Sequence, residues 1–173
     1  MLENEQITKR ITIDDGLPDS RVTDFVFSKN NDLWIGTPSG LAIYDLDKDK
    51  IRTFTKKDGL QDETIRSLAL DKNGIIWCYT PSGLIRYDGE TFTLYSQDDG
   101  LVRPRNIGRV NIDKKGNVIY ATYGSGFSIF DGKTFKNYDT KNGMVDGRIW
   151  DVGIDSKNNY WFALDGSGVQ MYN

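Results

Sequence analysis

Apolar residues in this chain fall into short clusters separated by Gly, Asp, Asn and Ser, and the clusters recur in phase. Gly16-Leu17, Gly59-Leu60, Gly100-Leu101 and the variant Gly143-Met144 stand at intervals of 43, 41 and 43 residues. Trp34, Trp77, Ile119 and Trp161 follow at 43, 42 and 42. Gly40-Leu41, Gly83-Leu84, Gly126-Phe127 and Gly168-Val169 follow at 43, 43 and 42, each set trailed by an aromatic: Tyr44, Tyr87, Phe130, Tyr172. Independent landmarks sharing one phase define a repeat, and a period of about 40 to 50 residues is that of a propeller blade or a helical solenoid.

The pattern inside each copy decides between them. In the second copy Ile65–Leu70 predicts a first strand, Lys72-Asn73-Gly74 a turn, and Ile75–Thr80 a second strand rich in β-branched and aromatic residues. Pro81-Ser82-Gly83 turns into a third strand, Leu84–Tyr87. Asp88-Gly89 predicts a two-residue type I′ hairpin, because both central residues of that turn need positive φ. Thr91–Tyr95 is then the fourth strand, and Thr134–Tyr138 its counterpart after Asp131-Gly132. The first copy uses a longer loop, Leu46–Lys50. No segment carries an apolar stripe at helical period.

The expected fold is therefore all-β, a propeller of four four-stranded antiparallel blades in a single domain spanning 1–173, with blades near 16–58, 59–99, 100–142 and 143–173. The last copy stops after its third strand, while 7–13 resembles a spare fourth strand: Ile11 precedes Gly16 as Phe54, Tyr95 and Tyr138 precede Gly59, Gly100 and Gly143. That segment is expected to close the last blade, which removes exposed sheet edges. Closure within the chain makes a four-bladed ring; closure across a homodimer makes an eight-bladed one.

Composition narrows the chemistry. A net charge of −3 carries no electrostatic footprint for nucleic acid. No apolar run is long enough to span a membrane, so direct membrane contact by this chain is not expected, and polar Met1–Gln6 does not read as a signal peptide. The chain has no histidine and one cysteine, Cys78. Ser-His-Asp and Cys-His catalysis and the usual zinc sites are thereby excluded, and no cofactor or metal is expected. Asp71-Lys72-Asn73-Gly74 and Asp113-Lys114-Lys115-Gly116 lack the further acidic ligands of a calcium loop and read as hairpin turns.

The motif running from Gly-Leu through Asp71-Lys72-Asn73-Gly74-Ile75-Ile76-Trp77, Thr80-Pro81-Ser82-Gly83-Leu84 and Tyr87-Asp88-Gly89 resembles the two-component regulator propeller repeat. The first copy is similar through Leu33-Trp34-Ile35-Gly36-Thr37 and Gly40-Leu41. The resemblance implies the periplasmic sensor portion of a hybrid two-component histidine kinase, many of which detect oligosaccharides. It thus implies a non-catalytic, ligand-binding sensor module on the periplasmic or extracellular side of a membrane. Such propellers typically have seven blades. Their shallow curvature favours an eight-bladed homodimer over a closed four-bladed monomer.

Propeller ligands commonly sit on the face where fourth-to-first and second-to-third strand loops converge. Six of the nine arginines fall in the fourth-to-first loops or just inside the strand that follows: Arg21, Arg66, Arg103, Arg105, Arg109 and Arg148. With Tyr123 and Trp150 as flat platforms, they form a candidate mouth for an oligosaccharide or other small anion, since guanidinium groups bind carboxylate and sulfate in bidentate fashion. Alternatively they pair with Asp19, Asp24, Asp62, Glu63, Asp146 and Asp151, or serve a dimer surface. Trp34, Trp77 and Trp161 occupy one repeat position and are expected as core between blades, with Cys78 an inert buried thiol. Two rival functions stay open: a structural or protein–protein interaction propeller, and a lyase or hydrolase using a pair such as Asp24 and Asp151.

Overall fold

The computed structural model describes residues 9–173. It contains four antiparallel sheets. The first holds β1 (Asp24–Phe27), β2 (Asp32–Thr37), β3 (Gly40–Asp45) and β4 (Lys50–Phe54). The second holds β5 (Ser67–Leu70), β6 (Ile76–Thr80), β7 (Gly83–Tyr87) and β8 (Phe92–Tyr95). The third holds β9 (Gly108–Ile112), β10 (Val118–Thr122), β11 (Gly126–Phe130) and β12 (Phe135–Tyr138). The fourth holds β13 (Ile149–Ile154), β14 (Tyr160–Leu164) and β15 (Gly168–Tyr172). Each sheet is a meander of sequence neighbours, the topology of a propeller blade.

Second strands such as β6 are buried along their whole length. Both faces of such a strand meet another blade, so an unbroken apolar run replaces alternation. Trp34, Leu41 and Phe54 of the first blade pack on Ile65, Leu68, Ile76, Cys78, Ile85 and Tyr87 of the second. Trp77, Tyr79 and Leu84 pack on Val110, Val118, Tyr120 and Phe130 of the third, and Ile119, Ala121 and Phe127 on Val152, Tyr160 and Phe162 of the fourth. The inner strands are also stitched by side chains: the Leu68 N–H donates to Asp24 (2.8 Å), and Asn111 Nδ2 donates to the Val152 carbonyl (3.0 Å).

The landmark glycines have a mechanical reason. A Cβ on Gly40, Gly83 or Gly126 would lie 2.7, 2.1 and 1.9 Å from the carbonyl oxygens of Phe54, Tyr95 and Tyr138, where the fourth strand passes. At Gly168 no atom lies within 4 Å, because β15 has no fourth strand beside it among the described residues.

Three expectations are corrected. The hairpin at Asp88-Gly89 spans four residues: Tyr87 pairs with Phe92, only Gly89 has positive φ, and the Asp88 carboxylate accepts the Glu90 and Thr91 N–H groups. An Asp carboxylate that captures amides two and three residues on stabilises this wider turn instead of type I′. Secondly, the start of the 7–13 segment lies outside the described residues; Lys9–Thr12 forms no strand, and Ile13–Asp15 is a 3-10 turn. Ile11 rests on Leu17, Ile35, Ala42 and Tyr44, as Phe54 rests on the second blade, so within this chain the described part of the segment covers the first blade and does not pair with the last. The correction concerns closure within the chain and not closure across a homodimer.

Thirdly, Trp34 and Trp77 are buried, but Trp161 is 42% exposed. The four blades form an open arc. One end face shows Trp161, Val169 and Met171; the other shows Phe25 (58% exposed), Phe27 and Val22 around an apolar groove of about 360 Å³. A four-bladed ring closed within the chain would bury both ends against each other.

Candidate functional site

The fourth-to-first loops begin with a shared device. Thr12, Thr55 and Ser96 each open a 3-10 turn whose third residue, Asp15, Asp58 or Asp99, accepts their backbone N–H at 2.8, 2.9 and 2.8 Å. A glycine in the left-handed region then ends the turn: Gly16, Gly59 or Gly100. This capping box fixes where the following loop crosses to the next blade.

After the crossing, a carboxylate ties that loop to the second-to-third strand turn. Asp19 accepts from the Ser39 hydroxyl (2.8 Å), Asp62 from the Ser82 N–H (3.0 Å), and Asp146 from the Ser167 hydroxyl (3.2 Å). In the third blade the equivalent position is Arg103, and the equivalent serine, Ser125, accepts from Arg105 Nε at 2.9 Å. Above this blade lies a groove of about 590 Å³ lined by Gln97, Arg103, Ser125, Thr140, Asp146 and Arg148 among others.

The other candidates divide into two groups. Arg66 and Arg109 border a smaller groove of about 270 Å³ at the axial mouth, with Thr23 and Asn106. Arg66 Nη2 donates to Asn106 Oδ1 (2.9 Å), while its Nε is buried with no partner among the described residues. Arg109 lies 3.7 Å from Asp151. Around the fourth blade, Arg148 donates to Asp146 (2.7 Å) and Asp165 (3.1 Å). The Asp146 carboxyl is held at about 2, chiefly by the Arg148 hydrogen bond. The Tyr123 hydroxyl donates to Asp165, which raises the phenol's pKa, and its ring lies 4.7 Å from that of Trp150 at 54°. Trp150 is exposed beside a register shift in β13 between Ile149 and Asp151.

Charge pairing thus accounts for Arg148 and Arg109. Arg21, Arg66, Arg103 and Arg105 have no carboxylate within salt-bridge distance among the described residues. Asp24 and Asp151 share the axial groove, but both Asp24 oxygens accept backbone amides, from Phe25 and Leu68. Asp71 and Asp113 cap their hairpin turns through the N–H groups of Asn73 and Ile75, and of Lys115 and Asn117. Arg103 has a sequence signal that reading by residue type passes over: it breaks an Asp position kept in the other three copies. Ser125, Gln97 and Thr140 have none of their own.

Residues 16–39 match the family model described as two component regulator propeller. The extracellular domain of the hybrid two component system BT3049 of B. thetaiotaomicron is similar in structure, with a TM-score of 0.81 at 24% identity over 96% of this chain and 23% of that one. The extracellular domain of BT4673 from the same organism gives 0.71 at 20% identity, covering 92% and 22%. A streptogramin B lyase gives 0.66 at 16%, covering 91% and 56%. No curated protein matches the chain in sequence. The family match is confined to residues 16–39, and the chain shares its fold with the two extracellular domains, spanning under a quarter of each. No helix among the described residues is long and apolar enough to cross a membrane.

Proposed function

We propose that this chain is a ligand-receiving segment of an extracellular two-component sensor propeller, binding a small anionic or saccharide ligand on its loop face without turning it over. The observation that carries this reading is the set of loop-face guanidinium groups left without carboxylate partners, above all Arg66 with its buried, unpartnered Nε. A guanidinium group bordering a groove with no carboxylate partner of its own offers a ligand acceptor charge-assisted hydrogen bonds. Likeness to sensor domains supports the reading; likeness to a lyase extends only to fold, and function does not travel with fold. The test is a thermal-shift and calorimetric screen of the chain against acidic and neutral oligosaccharides. Binding that weakens about tenfold or more in Arg66→Ala, Arg103→Ala or both supports it. Absence of binding across the panel, or turnover that disappears in Asp24→Asn, defeats it.

A second reading, assembly through the end faces, is favoured by their register. Leu33, Ile35 and Tyr44 on the first blade stand where Ile76, Cys78 and Tyr87 receive Trp34, and Trp161 stands where Trp34 and Trp77 do the inserting. One end is therefore built to receive what the other presents, and head-to-tail pairing of two copies gives an eight-bladed ring. A solution mass of one chain, unchanged by Trp161→Ser, rules out the homodimer.

A further inference from the structure

The groove above the third blade is the place where the repeat's own chemistry is reversed. In the other three blades an aspartate carboxylate bridges the crossing loop to the serine of the neighbouring turn. Here Arg103 stands in the aspartate's place, Ser125 turns to Arg105, and a groove lies over the gap. Its charged lining is Arg103, Asp139, Asp146 and Arg148. Asp146 and Arg148 neutralise each other at 2.7 Å, and Asp139 accepts the Lys141 N–H within its own turn. Arg103 is exposed and makes no hydrogen bond to any described residue, so it is the groove's available cation. Gln97 and Thr140 are exposed on the same lining.

We propose that this groove binds an acidic sugar whose carboxylate takes the place of the missing aspartate, held between Arg103 and the Ser125 hydroxyl. Resting on the ligand-receiving function proposed above, this assigns the ligand class and the recognition element. A planar carboxylate accepts two parallel guanidinium N–H bonds and still has lone pairs for the serine hydroxyl. Gln97 and Thr140 are placed to meet sugar hydroxyls. The volume, about 590 Å³, lies within the usual range of small-ligand sites.

The experiment is calorimetry of the chain with digalacturonate and with its neutral counterpart digalactose. Arg103→Asp rebuilds the aspartate of the other blades, so it should fold as well as the parent, which the unfolding midpoint in urea checks. Arg103→Gln removes the charge alone. The expected result is digalacturonate binding at least about tenfold tighter than digalactose, and lost by tenfold or more in both variants. Digalacturonate affinity unchanged by both substitutions, or equal affinity for the two sugars, overturns the proposal. If binding responds to Arg66→Ala and not to Arg103, the loop-face function stands and this assignment falls; if neither sugar nor any other oligosaccharide binds, both fall.

Discussion

Tyr79 of the second blade stacks on Tyr120 of the third with ring centroids 4.3 Å apart and planes 11° from parallel. The Tyr79 hydroxyl donates to the carbonyls of Arg105 and Ile107, and the Tyr120 hydroxyl to that of Thr80. One buried aromatic pair therefore joins two blades and anchors the loop that carries Arg103 and Arg105. Burial pushes the Tyr79 phenol up to about 12, so it remains a donor throughout the physiological range.

Tyr79→Phe keeps the stack and removes the loop anchor. The expected loss is about 1–2 kcal/mol of stability in urea unfolding, with faster amide exchange over 105–107. Unchanged exchange there would contradict the anchoring role.

Gly108 lies against the same ring. A Cβ there would be 2.3 Å from Tyr79 ring atoms and 2.3 Å from the Ala121 carbonyl oxygen. Gly108→Ala should cost about 3 kcal/mol or more, because the backbone on one side cannot yield. Gly153 on the open end face has no atom within 4 Å of its Cβ site, and Gly153→Ala should stay within about 0.5 kcal/mol of the parent.

Asp113 is a buried carboxylate that joins the third blade to the fourth. Burial raises its pKa, but hydrogen bonds from Asn158 Nδ2 (3.1 Å), Tyr160 (2.8 Å) and Asn117 Nδ2 (2.9 Å) outweigh it, and the net shift is downward. A carboxyl with a lower pKa folded than unfolded contributes stability above the unfolded value of about 3.9, lost as pH falls through the folded one. Asp113→Asn should therefore destabilise at pH 7 by about 2 kcal/mol, with the deficit shrinking at the acid end. A deficit constant with pH would exclude the carboxylate's charge as its source.

Cys78 is wholly enclosed, and burial alone pushes its thiol far above the ordinary range. The native chain should resist a thiol-specific disulfide reagent for as long as it stays folded and react at once in denaturant, since the thiolate is the nucleophile. Rapid labelling of the folded chain would show that the junction between the first two blades opens.

Much of this architecture was legible along the chain. The in-phase Gly-Leu pairs and tryptophans defined the blades, because each strand alternates with a turn whose residues are chosen for backbone geometry. The capping boxes were also written locally, as Thr55 with Asp58 and Ser96 with Asp99, although reading by strand pattern passes over them. Two local readings failed for lack of context. The width of the Asp88 turn depends on which amides the carboxylate captures, and the exposure of Trp161 on whether a blade lies beyond it. The arginine-rich loop face was readable as composition, but the partners of each guanidinium were not.

Order within a blade was set by the chain itself: period, turn chemistry and the apolar run of each second strand act between residues close in sequence. Folding in three dimensions alone settled that the four blades stop short of a ring, that Asp165 of the neighbouring turn joins Asp146 in occupying Arg148, and that Arg103 overlooks a groove in which no carboxylate pairs with it. Those outcomes rest on how strands and blades pack, which brings together groups whose partners no local sequence pattern specifies.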